Sequence, residues 1–127
     1  MSETKAAVET AIHWFEIPCE DLDRATNFYE TLLDAKLTRT TLDAPMALFP
    51  YPDGGIGGTL VRRARRKPGP HGTMVYLNCN GRLDEVIGRV SSAGGLMLLP
   101  KTEIEGGHGF YACLRDSEGN HVGLHSL

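Results

Sequence analysis

The chain has 127 residues, 41% of them hydrophobic and 23% charged, with a formal net charge of −3. That is the composition of one ordinary globular domain, and it offers no general attraction to nucleic acid or an anionic membrane. No apolar run approaches the ~20 residues that a membrane-spanning helix needs.

The N-terminal stretch MSETKAAVETA lacks the apolar core of a secretory leader, so residues 1–10 are expected to form a flexible tail. Ile12 to Ile17 then reads as a short strand ended by Pro18. Asp21 stands where a helix N-cap belongs, and Leu22, Ala25, Phe28, Tyr29 and Leu32 follow at the spacing of one helical face. AKLTRTTL, PMALFPY and GIGGTLVRR are three strand candidates, broken by Asp43-Ala44-Pro45 and Pro52-Asp53-Gly54-Gly55. Next comes RRARRK, with five basic residues in six, which reads as a solvated linker beside Pro68 and Pro70.

The second half repeats the order. GTMVYLNC is a strand, and RLDEVIGRVSSAGG is a helix with Leu83, Val86, Ile87 and Val90 on one side. Gly94-Gly95 supplies its stop, since glycine adopts the left-handed conformation at little cost. LMLLPK, GFYACLRD and NHVGLHSL complete three more strands. Each half therefore reads β-α-β-β-β. The boundaries are residues 11–63 for the first module, 64–71 for the linker and 72–127 for the second module. Cys19, Cys79 and Cys113 are widely spaced, odd in number and set among apolar residues. They are expected to be reduced, core-filling thiols of a cytoplasmic protein.

Two motifs carry a resemblance. EDLDRATNFYETLL resembles the first helix of the vicinal oxygen chelate superfamily, with its D-L-x-R-A/S-x-x-F-Y signature. RDSEGNHVGLHS is similar to that superfamily's D-P-D/E-G-N-x-x-x-L ending, with Ser117 in place of the usual proline. The superfamily includes glyoxalase I, extradiol dioxygenases, bleomycin-resistance proteins and fosfomycin-resistance transferases. WFEIP and GNHVGL look most like its small bacterial glyoxalase-like members. The resemblance implies an α+β fold in which two βαβββ modules form one cup-shaped, mixed-sheet half-barrel. It also implies a homodimer.

In metal-using relatives, four inward positions supply His, Gln or Glu to one divalent ion, which polarises vicinal oxygens of the substrate. Counted from Asp21, the first position falls on Trp14. The adjacent His13 faces the other way, but a one-residue slip would make it a ligand. The equivalent place in the second half falls near Thr73 or Met74. GIGGTLVRR and PMALFPY hold no acid or histidine, and Gly123 stands where the last strand's glutamate would be. His121 and His125 do not restore the site. Four strand residues span about 13 Å at ~3.3 Å each, too far for both imidazoles to reach one ion.

No cofactor is therefore expected. The expected activity is binding of a small molecule in a pocket of Trp14, Glu16, Met74, Tyr76, Asn78 and His125, with no nucleic-acid or membrane partner. The alternative is a lyase, isomerase or dioxygenase with a degenerate site for Fe, Mn, Ni or Zn, or with Glu16 as general base. Against the catalytic role stands a simpler one for Glu16, hydrogen-bonding to a backbone or arginine partner. EGGHGF, with three glycines around His108, reads as a hairpin loop or a lid over the cup. Arg115 is expected to pair with Asp116 or Glu118.

Overall fold

The computed structural model describes residues 10–127, so the tail expected over residues 1–10 lies, for residues 1–9, outside the described residues. The first module comprises β1 (Trp14–Pro18), α1 (Leu22–Leu33), β2 (Thr38–Thr41), β3 (Pro45–Leu48) and β4 (Gly57–Val61). The second comprises β5 (Tyr76–Asn78), α2 (Leu83–Ala93), β6 (Leu96–Glu103), β7 (Phe110–Arg115) and β8 (His121–Ser126). The β-α-β-β-β order read from the sequence is present twice. β5 is shorter than GTMVYLNC suggested, and Thr73 and Met74 precede it in irregular backbone.

Local chemistry sets both ends of α1 and the close of α2. The Asp21 carboxylate accepts from the Arg24 amide at 3.0 Å, and α1 closes on Asp34 in the left-handed region. α2 closes on Gly94, whose φ of 105° is cheap only for glycine.

Each module forms its own mixed sheet, in the orders β1-β4-β3-β2 and β5-β8-β7-β6. The first strand of each module pairs in parallel with its fourth, and the remaining pairings are antiparallel. The two sheets are separate and do not close into a barrel. What joins the modules is a common core. Ile17, Ala47 and Leu60 of the first sheet, with Phe49 just after β3, share one apolar cluster with Leu77, Leu114, Val122 and Leu124 of the second. Phe28, Tyr29 and Leu32 of α1 and Val86 and Val90 of α2 complete it. Arg82 and Arg89 donate to the Leu33 and Leu32 carbonyls at 2.8 and 2.9 Å, capping the C-terminal end of α1. One face of each sheet is thus committed to this core, and by strand alternation the opposite faces look outward.

The two signature motifs are partners in space. Tyr29 donates to Asp116 Oδ2 at 2.6 Å, and Asp116 Oδ1 accepts the amides of Glu118 and Asn120. Asn120 Nδ2 donates to the Pro18 carbonyl at 2.8 Å. Glu118 accepts the amides of Glu20 and Asp21 and is gripped by Arg24, with Nε–Oε2 at 2.6 Å. Burial acts to raise the pKa of Glu118. The hydrogen bonds from Arg24, the Asp21 amide, the Ser117 hydroxyl and the Glu20 amide overcome it, holding the carboxyl below its ordinary range. Burial and the neighbouring Asp116 push the Tyr29 phenol far the other way. RDSEGN thus ties the last turn to the start of α1 and the end of β1.

Candidate functional site

On the outward face of the first sheet, Trp14 and Glu16 of β1 align with Gly57 and Thr59 of β4. The Trp14 ring meets Tyr51 edge to face with centroids 5.8 Å apart, and both rings cover Gly57, where a Cβ would come closer than 3.0 Å to each. Further along, Arg63 Nη2 and Nε reach Glu16 at 2.8 and 3.2 Å, and Nη1 reaches Asp43 at 2.9 Å. The Arg63 guanidinium holds the Asp43 carboxyl below its ordinary range. Met46 and Val61 are outward-facing by register yet buried, forming a small apolar cluster with Ala44 on the same sheet as this ion-paired group. Glu16 has the arginine partner that the sequence allowed as its simpler role.

The second sheet repeats one device and lacks the other. Tyr76 of β5 aligns with Gly123 of β8, and its ring fills the space above that glycine so closely that a Cβ there would overlap it. Tyr111 lies beside it, with centroids 6.3 Å apart. Asn78 aligns with His125, and Cys113 with Gly123. His125 Nε2 lies 2.8 Å from the His108 carbonyl, which it meets as a donor, tying β8 to the β6–β7 loop. EGGHGF is a hairpin loop, and Ile104 donates across it to the Gly109 carbonyl at 2.8 Å. Tyr76 is half exposed, and the face around it is open.

The structure therefore brings Tyr76, Asn78 and His125 together on one face and Trp14 with Glu16 on the other, while Met74 is half-buried in the segment before β5. No hydrogen bond or aromatic contact links the two groups among the described residues. His13 is exposed just before β1. Among the described residues, no three His, Cys, Asp or Glu side chains are grouped to hold a metal ion. At the positions counted from the sequence as ligand places stand the Trp14 indole, exposed Thr73 with half-buried Met74, and Gly123 under the Tyr76 ring, none of them a usual ligand of a divalent cation.

The three cysteines are free. Burial, with Glu118, Asp116 and Asp21 nearby, pushes the Cys19 thiol up to about 11, and burial raises Cys79 and Cys113 as well. None is an activated nucleophile.

Sequence reasoning missed Tyr51, Asp43, Arg63, Tyr111 and Cys113. The period-two pattern of GFYACLRD could have placed Tyr111 and Cys113 on the outward face. Arg63 was masked by its basic neighbours. The basic run is exposed apart from the half-buried Arg63, with Arg62 donating to the Glu20 carbonyl and Lys67 pairing with Glu20 at 3.3 Å. A groove of about 510 Å³ runs along α1 near Arg24, Asn27 and Gly94, and contains none of the expected site residues.

The family model for the Glyoxalase/Bleomycin resistance protein/Dioxygenase superfamily matches residues 11–124. The chain belongs to that superfamily. No protein of curated function matches it in sequence. Among solved structures, it is similar to a glyoxalase/bleomycin resistance protein from Albidiferax ferrireducens T118, with a TM-score of 0.75 at 16% identity over 93% of this chain and 99% of that one. It is similar to a glyoxalase-related enzyme from Fulvimarina pelagi, with 0.69 at 13% over 94% and 89%. It is also similar to the fosfomycin resistance protein FosX from Listeria monocytogenes, with 0.67 at 15% over 95% of each chain. At these identities the likeness speaks for the fold alone. The superfamily fold and its paired βαβββ modules thus stand on both the sequence and the architecture.

Proposed function

We propose that this superfamily member binds a small planar organic molecule on the outward faces of its sheets without recruiting a metal. One observation carries the reading. The ring of Tyr76 covers Gly123, the residue that the sequence count sets at the last ligand place of metal-using relatives, which supports an aromatic platform there rather than a metal ligand. Tyr76, Tyr111 and Trp14 supply aromatic wall, and Asn78, His125 and Glu16 supply a few polar groups, the usual composition of a small-molecule site. The bidentate grip of Arg63 on Glu16 favours a structural pairing over general-base work.

A further part of the proposal follows from the outward faces. Large apolar side chains, among them Trp14, Tyr51, Tyr76, Leu96 and Leu98, are exposed on one chain. A homodimer laying the Trp14 face of one copy over the Tyr76 face of the other closes on itself about a two-fold axis. It would also gather Trp14 and Glu16 with Tyr76, Asn78 and His125 into one cup. No helix among the described residues is long and apolar enough to cross a membrane, and three free thiols fit a reducing cytoplasm.

The test is a thermal-shift screen of planar aromatic compounds in a chelating buffer, on the native chain, Tyr76→Ala and Glu16→Gln. Stabilisation that survives chelation, disappears in Tyr76→Ala and persists in Glu16→Gln supports the reading. A stoichiometric transition metal in protein purified without a histidine tag, lost in His13→Ala, would overturn it.

A further inference from the structure

Arg115 ends β7 on the same outward face as Tyr111 and Cys113, opposite His121 of β8. The two acids nearest to it in sequence are engaged elsewhere. Asp116 accepts from Tyr29, from the amides of Glu118 and Asn120 and from Asn120 Nδ2, and Glu118 is held by Arg24. The expected pairing of Arg115 with either is therefore not made. Other arginines at helices and strands have partners: Arg24 with Glu118, Arg39 with Asp23, and Arg82 and Arg89 with the α1 carbonyls. Among the described residues, Arg115 has neither an ion-pair nor a hydrogen-bond partner for its side chain, and it is exposed.

On that face it stands between His121 of β8 and Leu96 of β6, and Cys113, Gly123, Tyr76 and Tyr111 follow along it, none of them acidic. Residues directly opposite in an antiparallel pair have Cβ atoms about 5 Å apart, so both side chains reach one group placed between them. An anion placed between Arg115 and His121 accepts from both side chains. It also satisfies the planar guanidinium fork, which matches two oxygens of a carboxylate or phosphate.

We infer that Arg115, with His121 opposite it, is an anion-reading subsite for an organic acid or phosphate ester whose planar body lies against Tyr76. The inference rests on the reading of the Tyr76 face as a binding face and names the class of molecule it takes. Gly123, between His121 and His125 on β8, leaves the path from the anion to the ring free of a side chain.

The test is an NMR titration of the full chain with benzoate, phenyl phosphate, neutral benzyl alcohol, acetate and inorganic phosphate, repeated on Arg115→Gln, Arg115→Lys and His121→Gln. Benzoate or phenyl phosphate should bind more tightly than benzyl alcohol and shift the Arg115 and His121 resonances. Arg115→Gln should weaken the anions about tenfold or more without affecting benzyl alcohol, as expected for loss of a charge-assisted hydrogen bond. Arg115→Lys should recover part of the loss, because it keeps the charge without the fork. The ratio of benzoate to phenyl phosphate separates carboxylate from phosphate recognition.

Equal binding of neutral and anionic rings overturns the subsite and leaves the aromatic platform standing. Acetate or phosphate shifting Arg115 while no aromatic compound binds keeps the subsite and sinks the platform. An Arg115→Gln variant that binds anions normally but dimerises less would assign Arg115 to contact with a second copy instead.

Discussion

The outward faces of the two sheets start from the same plan and diverge in what their charges do. In both, an aromatic residue on the module's first strand roofs a glycine on its fourth, Trp14 over Gly57 and Tyr76 over Gly123. In the first sheet the charged groups satisfy one another, with Arg63 joining Glu16 and Asp43. In the second, Arg115 and His121 face outward with no acid between them and no side-chain partner among the described residues, while His125 is tied to the His108 carbonyl. A face whose polar groups are mutually paired has little left to offer a ligand, while one with unpaired donors beside an aromatic ring is prepared for one.

The largest lever is the frame that both faces share. Asp116→Ala strips the acceptor from Tyr29, two backbone amides and Asn120, each costing ~1–3 kcal/mol when left unsatisfied, so a loss above about 3 kcal/mol is expected in chemical denaturation. A loss under about 1 kcal/mol would separate the signature motif from stability.

Glycine substitutions separate the covered side of a sheet from its open side. Gly58→Ala should cost more than Gly123→Ala, for which about 1–3 kcal/mol is expected from overpacking. Gly58 lies under Phe15, which packs toward the core against Phe49 with centroids 5.5 Å apart, whereas the half-exposed Tyr76 can swing away from Gly123. Adding Tyr76→Ala to Gly123→Ala should recover most of the cost, and a double-mutant cycle measures how much. Equal costs at the two glycines would mean that Tyr76 is as fixed as a core side chain.

Acid titration tests the tie between the last turn and α1. The folded pKa of Glu118 is depressed, so its contribution is fully present above its unfolded pKa and lost as pH falls through the lower folded value. Melting curves taken from pH 6 down to pH 3 should converge for the native chain and Glu118→Gln, with the native chain the more stable at the upper end. Parallel curves would remove Glu118 from the acid response.

The smallest effect belongs to the first face. Asp43 has the same sign, with its contribution lost as pH falls below its ordinary range, but it is exposed and its pairing should fade with added salt. Arg63→Gln should therefore change stability only slightly while leaving Glu16 and Asp43 unpaired. If it also creates binding for cationic aromatic compounds, then mutual pairing is what closes the first face.

How much of this was legible in the sequence follows from the range over which each signal acts. The Asp21 cap, the apolar stripe of α1 and the Gly94 stop are local, and each stands where the residues put it. Strand order was legible from turn residues, whereas the separation of the sheets was not, because it depends on how the two helices share one core. Glu16 was noticed, but its partner lies 47 residues away in a run of basic side chains. The expected pairing of Arg115 failed for the same reason. Asp116 and Glu118 are drawn across 87 and 94 residues to Tyr29 and Arg24, contacts that no local pattern announces. The count that set Gly123 at an expected ligand position carried no signal for the Tyr76 ring that covers it.

The most direct measurement is the affinity of a planar aromatic acid such as benzoate for the native chain, with chelator present and then with added Mn, Ni, Zn or Fe, compared with Tyr76→Ala. Metal-free binding on the Tyr76 platform predicts the same affinity with and without metal, and a loss of it in Tyr76→Ala. Binding that vanishes under chelation, returns with one of the metals and survives Tyr76→Ala would contradict it.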